Sequence, residues 1–224
     1  TAAPAAATTT RDYYSDTAQW AEPPCGLPAN SRQFGMLKST TSPTPASGAA
    51  VVTSYAYDVM GRVVGTATTG DHAWSCTTYD ARGRVIKQVS AARAGVAAIT
   101  VNTVYTATPT GETVTVTGPA IVGSSTSAVS TTSDLLGRNT STTDVWGTIA
   151  TTTYENLTGR VLKTTTSGPG IPTTDTEYSY DKDGKTTQVK HAGQVYATPT
   201  YDAKQRVAQV SYLGGASLTV AWDE

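Results

Sequence analysis

The sequence predicts an all-β chain, a long antiparallel meander of hairpins, and three observations carry that expectation. The composition favours strands over helices, a motif recurs about every 21 residues, and turn signals fall at regular intervals between β-rich runs.

Composition comes first. Of 224 residues, 44 are Thr, 21 Val and 12 Tyr, against 8 Leu, 5 Ile and 1 Phe. Thr, Val and Tyr fit a pleated, half-exposed surface and are poor helix formers. Leu, Ile, Val and Phe together make only 35 residues, thin for a packed globular core. The formal net charge is −1, without the charge excess that accompanies disorder. Thin-cored β structure is therefore expected, and a helical bundle is excluded. The even charge balance and the lack of a Lys/Arg run argue against nucleic acid as a partner. No stretch approaches the ~20 apolar residues of a membrane-spanning helix. The opening TAAPAAATTT has neither the basic nor the apolar region of a signal peptide. The chain begins with Thr rather than Met, which reads as a removed leader or a piece of something longer.

The repeat is next. YDVMGRV (57–63) and YDARGRV (79–85) match at a spacing of 22. Eroded copies follow as SDLLGRN (133–139), YENLTGRV (154–161, one residue inserted), YDKDGKT (180–186) and YDAKQRV (201–207), their starts 54, 21, 26 and 21 residues apart. The 54-residue gap holds a degenerate copy near Tyr105 that keeps Tyr and Gly but loses Asp. Chance pairing of 12 Tyr with 12 Asp predicts about 0.6 Tyr-Asp dipeptides, and the chain has four.

The motif has the chemistry of a hairpin turn. Asp-x-x-Gly suits a type I turn closed by a positive-φ residue in a G1 bulge. The Asp side chain accepts backbone N–H groups further round the turn, and Gly carries no Cβ penalty at the left-handed position. The turn residues expected to recur are Tyr57, Asp58, Gly61 and Arg62; Tyr79, Asp80, Gly83 and Arg84; Asp134, Gly137 and Arg138; Tyr154, Gly159 and Arg160; Tyr180, Asp181 and Gly184; and Tyr201, Asp202 and Arg206. A second set of turns falls midway: TTGD (68–71), AARAG (91–95), DVWG (144–147), SGPG (167–170), HAG (191–193) and LGG (213–215). Each period thus holds two strands. About 16 strands at ~4.8 Å would make a sheet on the order of 75 Å wide. Open sheets seldom pass ~10 strands without curling, so strand twist predicts a curved or spiral β-sheet wall. Residues 1–10 read as a flexible Ala/Thr/Pro-rich segment, 11–48 as an irregular lead-in packed on the first hairpins, and 49–224 as the repeat section. The last segment, ending at Trp222-Asp223-Glu224, reads as a copy broken off in mid-repeat with Trp in place of Tyr.

The YDxxGR motif at this period resembles the RHS/YD-repeat family of bacterial rearrangement-hotspot proteins, toxin-complex cocoon subunits and animal teneurins. The resemblance covers roughly residues 50–224, is specific at 57 and 79, and is weaker at 105, 133 and 201. The Ala/Thr-rich style and the WAEPPCGLP lead-in look like large secreted versions from high-GC Gram-positive bacteria. The resemblance implies a spiralling β-shell whose interior holds a C-terminal toxin, released in some members by an aspartyl protease. No DPxGL-type core end and no toxin domain appear here, so the segment would be one section of a wall.

Individual residues admit sharper readings. Cys25 and Cys76 have no metal-ligand spacing. Cys76 reads as a small residue on a strand, with a Cys25–Cys76 disulfide in a secreted protein as the alternative. Asp181 and Asp183 look like half a calcium loop without its downstream acid, and an ordinary repeat turn explains them better. His72 and Cys76, about 13 Å apart on a strand, do not make a nucleophile pair. Tyr55/Tyr57 and Tyr178/Tyr180 read as cross-strand packing, the alternative being a ladder with Trp74, Trp146 and Trp222 that stacks on sugar rings. The recurring Arg residues read as ties from repeat to repeat through the Asp positions.

The expected function is structural, a section of the β-shell of a secreted RHS/YD-repeat protein that encloses or displays a C-terminal toxin or effector. Its expected partners are the rest of that shell and the effector, and its expected location is extracellular or on the cell surface. The alternative is an extracellular module that binds carbohydrate or cell-surface partners. No catalytic residue, cofactor or metal is expected. The open edges of such a meander predict edge-to-edge self-association.

Overall fold

A computed structural model describes residues 8–18, 20, 22–45, 47–71, 73–120, 122 and 127–223. The chain is all-β, an antiparallel meander with seventeen strands and a single 3-10 turn at Pro24–Gly26 among the described residues. Residues 1–7 of the expected flexible segment, and His72, lie outside the described residues.

Two compact units divide the chain, one formed by Thr1–Val104 with Thr117–Pro119, the other by Tyr105–Val116 with Ala120–Glu224. The first unit carries β1 (Thr10–Tyr13), β2 (Leu37–Thr41), β3 (Val52–Tyr57), β4 (Val63–Thr68), β5 (Ser75–Tyr79), β6 (Val85–Val89) and the start of β7 (Thr100–Thr108), each paired to the next in chain order. The lead-in thus supplies two strands of its own, β1 and β2, and β2 pairs with the first repeat strand through Ser39–Ser54 and Thr41–Val52. Tyr105, the degenerate copy, lies inside β7 rather than at its end.

The second unit carries β8 (Gly111–Thr117), β9 (Ala128–Asp134), β10 (Asn139–Thr143), β11 (Ile149–Tyr154), β12 (Val161–Gly168), β13 (Ile171–Tyr180), β14 (Thr186–His191), β15 (Gln194–Tyr201), β16 (Val207–Tyr212) and β17 (Ser217–Thr219). From β9 to β17 each strand pairs with the next. Thr113 and Thr115 of β8 share hydroxyl hydrogen bonds with Thr132 and Ser130 of β9, both at 2.9 Å.

The cores are small, as the composition requires. In the first unit Ala56, Tyr57, Val64, Ala91 and Gln33 are buried; in the second, Ala197 is. Cross-strand partners share a face. Tyr178, Val189, Ala197 and Tyr212 therefore form one row on the second unit's sheet, while Lys163, Glu177, Lys190 and Val195 form a row on the opposite face. One face of β13–β16 is largely aromatic and apolar, and the other is polar, carrying Glu177 and Lys190 among Ser, Thr and Gln residues.

Candidate functional site

The repeat turns are built alike. The Asp58 N–H donates to the Arg62 carbonyl, and the Gly61 N–H donates to the Asp58 carbonyl, both at 3.0 Å. One carboxylate oxygen of Asp58 accepts the Met60 and Arg62 N–H groups at 2.9 Å. The other takes the Arg62 guanidinium at 2.7 Å. Gly61 sits at φ 76°, where a Cβ would be costly. This is the type I turn with G1 bulge that the spacing predicts. Asp80 with Arg84, Asp134 with Arg138 and Asp202 with Arg206 repeat it. At Asp181 the cation is Lys185, whose N–H bonds the carboxylate. The turn with one inserted residue uses Glu155, whose carboxylate accepts the Thr158 hydroxyl.

The tie between repeats differs from the expectation. Each of these Arg side chains pairs with the Asp of its own turn, four residues away. Arg62, Arg138 and Arg206 reach the next repeat through an aromatic ring instead. Arg62 lies over Tyr79 at 4.5 Å from the centroid, and Arg138 over Tyr154 at 4.6 Å. Arg160 lies over Tyr180 at 5.6 Å, Lys185 over Tyr201 at 5.4 Å and Arg206 over Trp222 at 5.3 Å. The ring's polar end is held as well. The hydroxyls of Tyr79, Tyr154, Tyr180 and Tyr201 donate to the carbonyls of Val63, Asn139, Val161 and Thr186, at 2.7–3.0 Å. The Trp222 indole N–H donates to Val207 at 2.8 Å. In every case the acceptor is the residue after the cation. The cause is geometric: a turn aspartate is saturated by its own turn, leaving the guanidinium face for the neighbour, whereas Arg160, whose turn has no aspartate, also donates from Nη1 to the Asp181 carbonyl of the next repeat at 3.5 Å.

A second bulge lies just beyond each turn. Tyr57 pairs with Val63 while Ala56 pairs with Gly65, leaving Val64 extra in the return strand. Ile86, Thr140, Leu162, Thr187 and Ala208 are the corresponding extra residues. Such bulges bend a strand and raise its twist.

The turn carboxylates are electrostatically committed. The Arg84 N–H lowers the Asp80 pKa below the ordinary carboxyl value against partial desolvation, with the guanidinium adding to it. The Arg206 N–H does the same for Asp202, and the Lys185 N–H for Asp181.

The lead-in packs on the first repeats in a way the sequence did not specify. Cys25 and Cys76 form a disulfide with Cα atoms 5.3 Å apart, which corrects the reading of Cys76 as a plain strand residue. Trp20 meets Trp74 edge-on at 5.7 Å and Tyr14 at 6.1 Å. A Cβ at Gly65 would lie 3.0 Å from Trp74 and 3.1 Å from the Cys25 sulfur, so these groups press directly on the sheet backbone. The Tyr14 hydroxyl donates to the Tyr55 carbonyl at 2.7 Å, and burial pushes its pKa up to about 12. Gln33, 1% exposed, donates to the Tyr57 carbonyl at 2.9 Å and accepts the Tyr57 N–H at 2.8 Å. It stands where a neighbouring strand would pair.

The aromatic residues do not form one ladder. Trp74 is half-buried against Trp20, Trp146 is an exposed turn tip and Trp222 lies under Arg206. Asp71 pairs with Arg93 at 2.8 Å. In the midway DVWG turn that the sequence also marks, Asp144 accepts the Trp146 and Thr148 N–H groups at 2.8 Å in the same way. Among the described residues no cluster of three or more His, Cys, Asp or Glu side chains is arranged to hold a metal.

No protein-family model and no curated protein matches the chain. Among solved structures, it is similar to the crystal structure of TcdB2–TccC3 with Cdc42, at 16% identity and a TM-score of 0.46. It is similar at the same identity and score to the Photorhabdus luminescens Tc holotoxin pore. In both, 91% of this chain is covered, and the chain spans 12% of the matched one.

Proposed function

We propose that this chain is a structural section of a repeat-built β-wall, part of a longer secreted protein that encloses or displays an effector. The observation that carries the reading is the cation–ring–carbonyl tie. It recurs at five junctions between successive repeats, so a sheet made this way can be extended without changing its parts. Trp222 under Arg206 already occupies the place from which a further repeat would start. A wall of this kind acts by exclusion, with the first-position turn aspartates used structurally, and the reading asks no chemistry of any residue. The Cys25–Cys76 disulfide suits an oxidising, extracellular setting.

The test uses the full-length product of the reading frame. Limited proteolysis should leave the segment following the repeats intact while the same segment expressed alone is digested. Equal digestion rates in the two settings would remove the enclosing role.

A further inference from the structure

The second unit holds a recess of ≈ 390 Å³ on its aromatic face, lined by Thr176 and Tyr178 of β13, Val189 and His191 of β14, and Tyr196 of β15. We propose that this recess binds a neutral oligosaccharide of equatorially linked hexopyranose units. The site lies away from the turn ties and does not depend on the wall reading.

Its aromatic groups are placed by a bulge. Val189 pairs with Ala197 and Lys190 with Val195, which leaves Tyr196 as the extra residue of β15 and turns its ring onto the sheet face. Tyr196 is 49% exposed. Its ring meets His191 at 6.2 Å and Tyr212 at 6.1 Å, both edge-on, so three rings run across three adjacent strands. The hairpin that carries His191 turns through Ala192 at φ 48° and Gly193 at φ 77°. Positive φ at both central residues is what a two-residue hairpin between His191 and Gln194 requires, and it fixes where His191 stands at the end of β14.

The polar groups narrow the ligand. Thr176 Oγ1 lies 3.0 Å from His191 Nδ1, which orients the imidazole and leaves Nε2 for a ligand. Lys163, Asp175, Glu177 and Lys190 all fall on the opposite face by register, with Asp175 and Lys163 paired to each other at 2.6 Å. The recess therefore offers no lysine or arginine to an anion and no carboxylate to a cation. A purely apolar ligand would make no use of His191 Nε2, the ring nitrogen that Thr176 does not engage. A pyranose has C–H faces for the rings and hydroxyls for the imidazole and threonine. The rings are edge-on to one another, so each offers a separate contact along a line across the strands, which an extended, equatorially linked chain can follow and an axially linked one curves away from.

The experiment titrates cellohexaose, with maltohexaose as the curved comparison, into the isotopically labelled chain and follows backbone amide shifts. Saturable shifts confined to β13–β16 with cellohexaose, and weaker ones with maltohexaose, are expected. Tyr196→Ala should weaken binding about tenfold, the loss of one good aromatic contact, with circular dichroism unchanged because the ring is half exposed. Tyr196→Phe should retain binding. Absence of saturable shifts, equal affinity for both sugars, or full affinity in a folded Tyr196→Ala would each overturn the proposal.

Discussion

The Arg206 guanidinium lies over the Trp222 ring at 5.3 Å while the Trp222 indole N–H bonds the carbonyl of Val207, the residue next to that arginine. One ring thus answers both a side chain and the backbone beside it. Trp can replace Tyr there because what the position needs is an aromatic face with a donor at its far end, and both residues supply it.

The tie predicts a graded mutant series. Tyr154→Phe keeps the face under Arg138 and loses the bond to Asn139, leaving that acceptor to water, for about 0.5–1 kcal/mol. Tyr154→Leu loses both contacts and should cost about 1–2 kcal/mol. Urea unfolding would read the order; a Leu variant as stable as wild type would show that the ring carries no tie.

Backbone conformation at the closing turn position gives a pair of opposite outcomes. Gly184 sits at φ 91°, and a Cβ there would come within 2.5 Å of the Arg160 guanidinium that lies over Tyr180. Gly184→Ala should destabilise by about 1–2 kcal/mol. Gln205 occupies the same turn position at φ 68°. Gln205→Gly should therefore stabilise by about 0.5–1 kcal/mol, and thermal melts of the two variants should move in opposite directions.

The lead-in is held by two separable devices. The disulfide closes a separation of 51 residues, for which unfolded-chain entropy gives about 4 kcal/mol. The Gln33 amide satisfies both backbone groups of Tyr57, and Gln33→Ala strands them at about 2–3 kcal/mol. Reduction should lower the urea midpoint and change the fluorescence of the packed Trp20–Trp74 pair. Gln33→Glu, which accepts but cannot donate to the Tyr57 carbonyl, should be as damaging as Gln33→Ala.

Acid should unfold the protein through its turns. Asp58, Asp80, Asp134, Asp181 and Asp202 all have pKa values lowered in the folded chain. A lowered carboxyl pKa contributes stability that is complete above the unfolded value, near 3.9, and is lost as pH falls through the folded value. Melting temperature should hold steady on the carboxylate account above about pH 5 and fall below about pH 4. Asp80→Asn with Asp202→Asn should flatten that fall. An unchanged acid slope in the double variant would place the acid sensitivity elsewhere.

The strand class, the turn positions and the type of the Asp-x-x-Gly turns were legible in the residues because they are local matters. Thr, Val and Tyr set the backbone preference, and Asp, Gly and the following Arg meet within five residues, so their offsets spell the turn directly. The resemblance of YDxxGR to a repeat family rested on those same short offsets. Contacts between distant residues had no such spelling. That Arg62 would rest on Tyr79, 17 residues on, that Gln33 would stand in for a strand beside Tyr57, that Cys25 would find Cys76, and that Tyr196 would turn onto the face of His191 depended on strand register and on a bulge beyond each turn. A shift of one residue in register sends a side chain to the other face of the sheet. Only the folded sheet decides which faces meet.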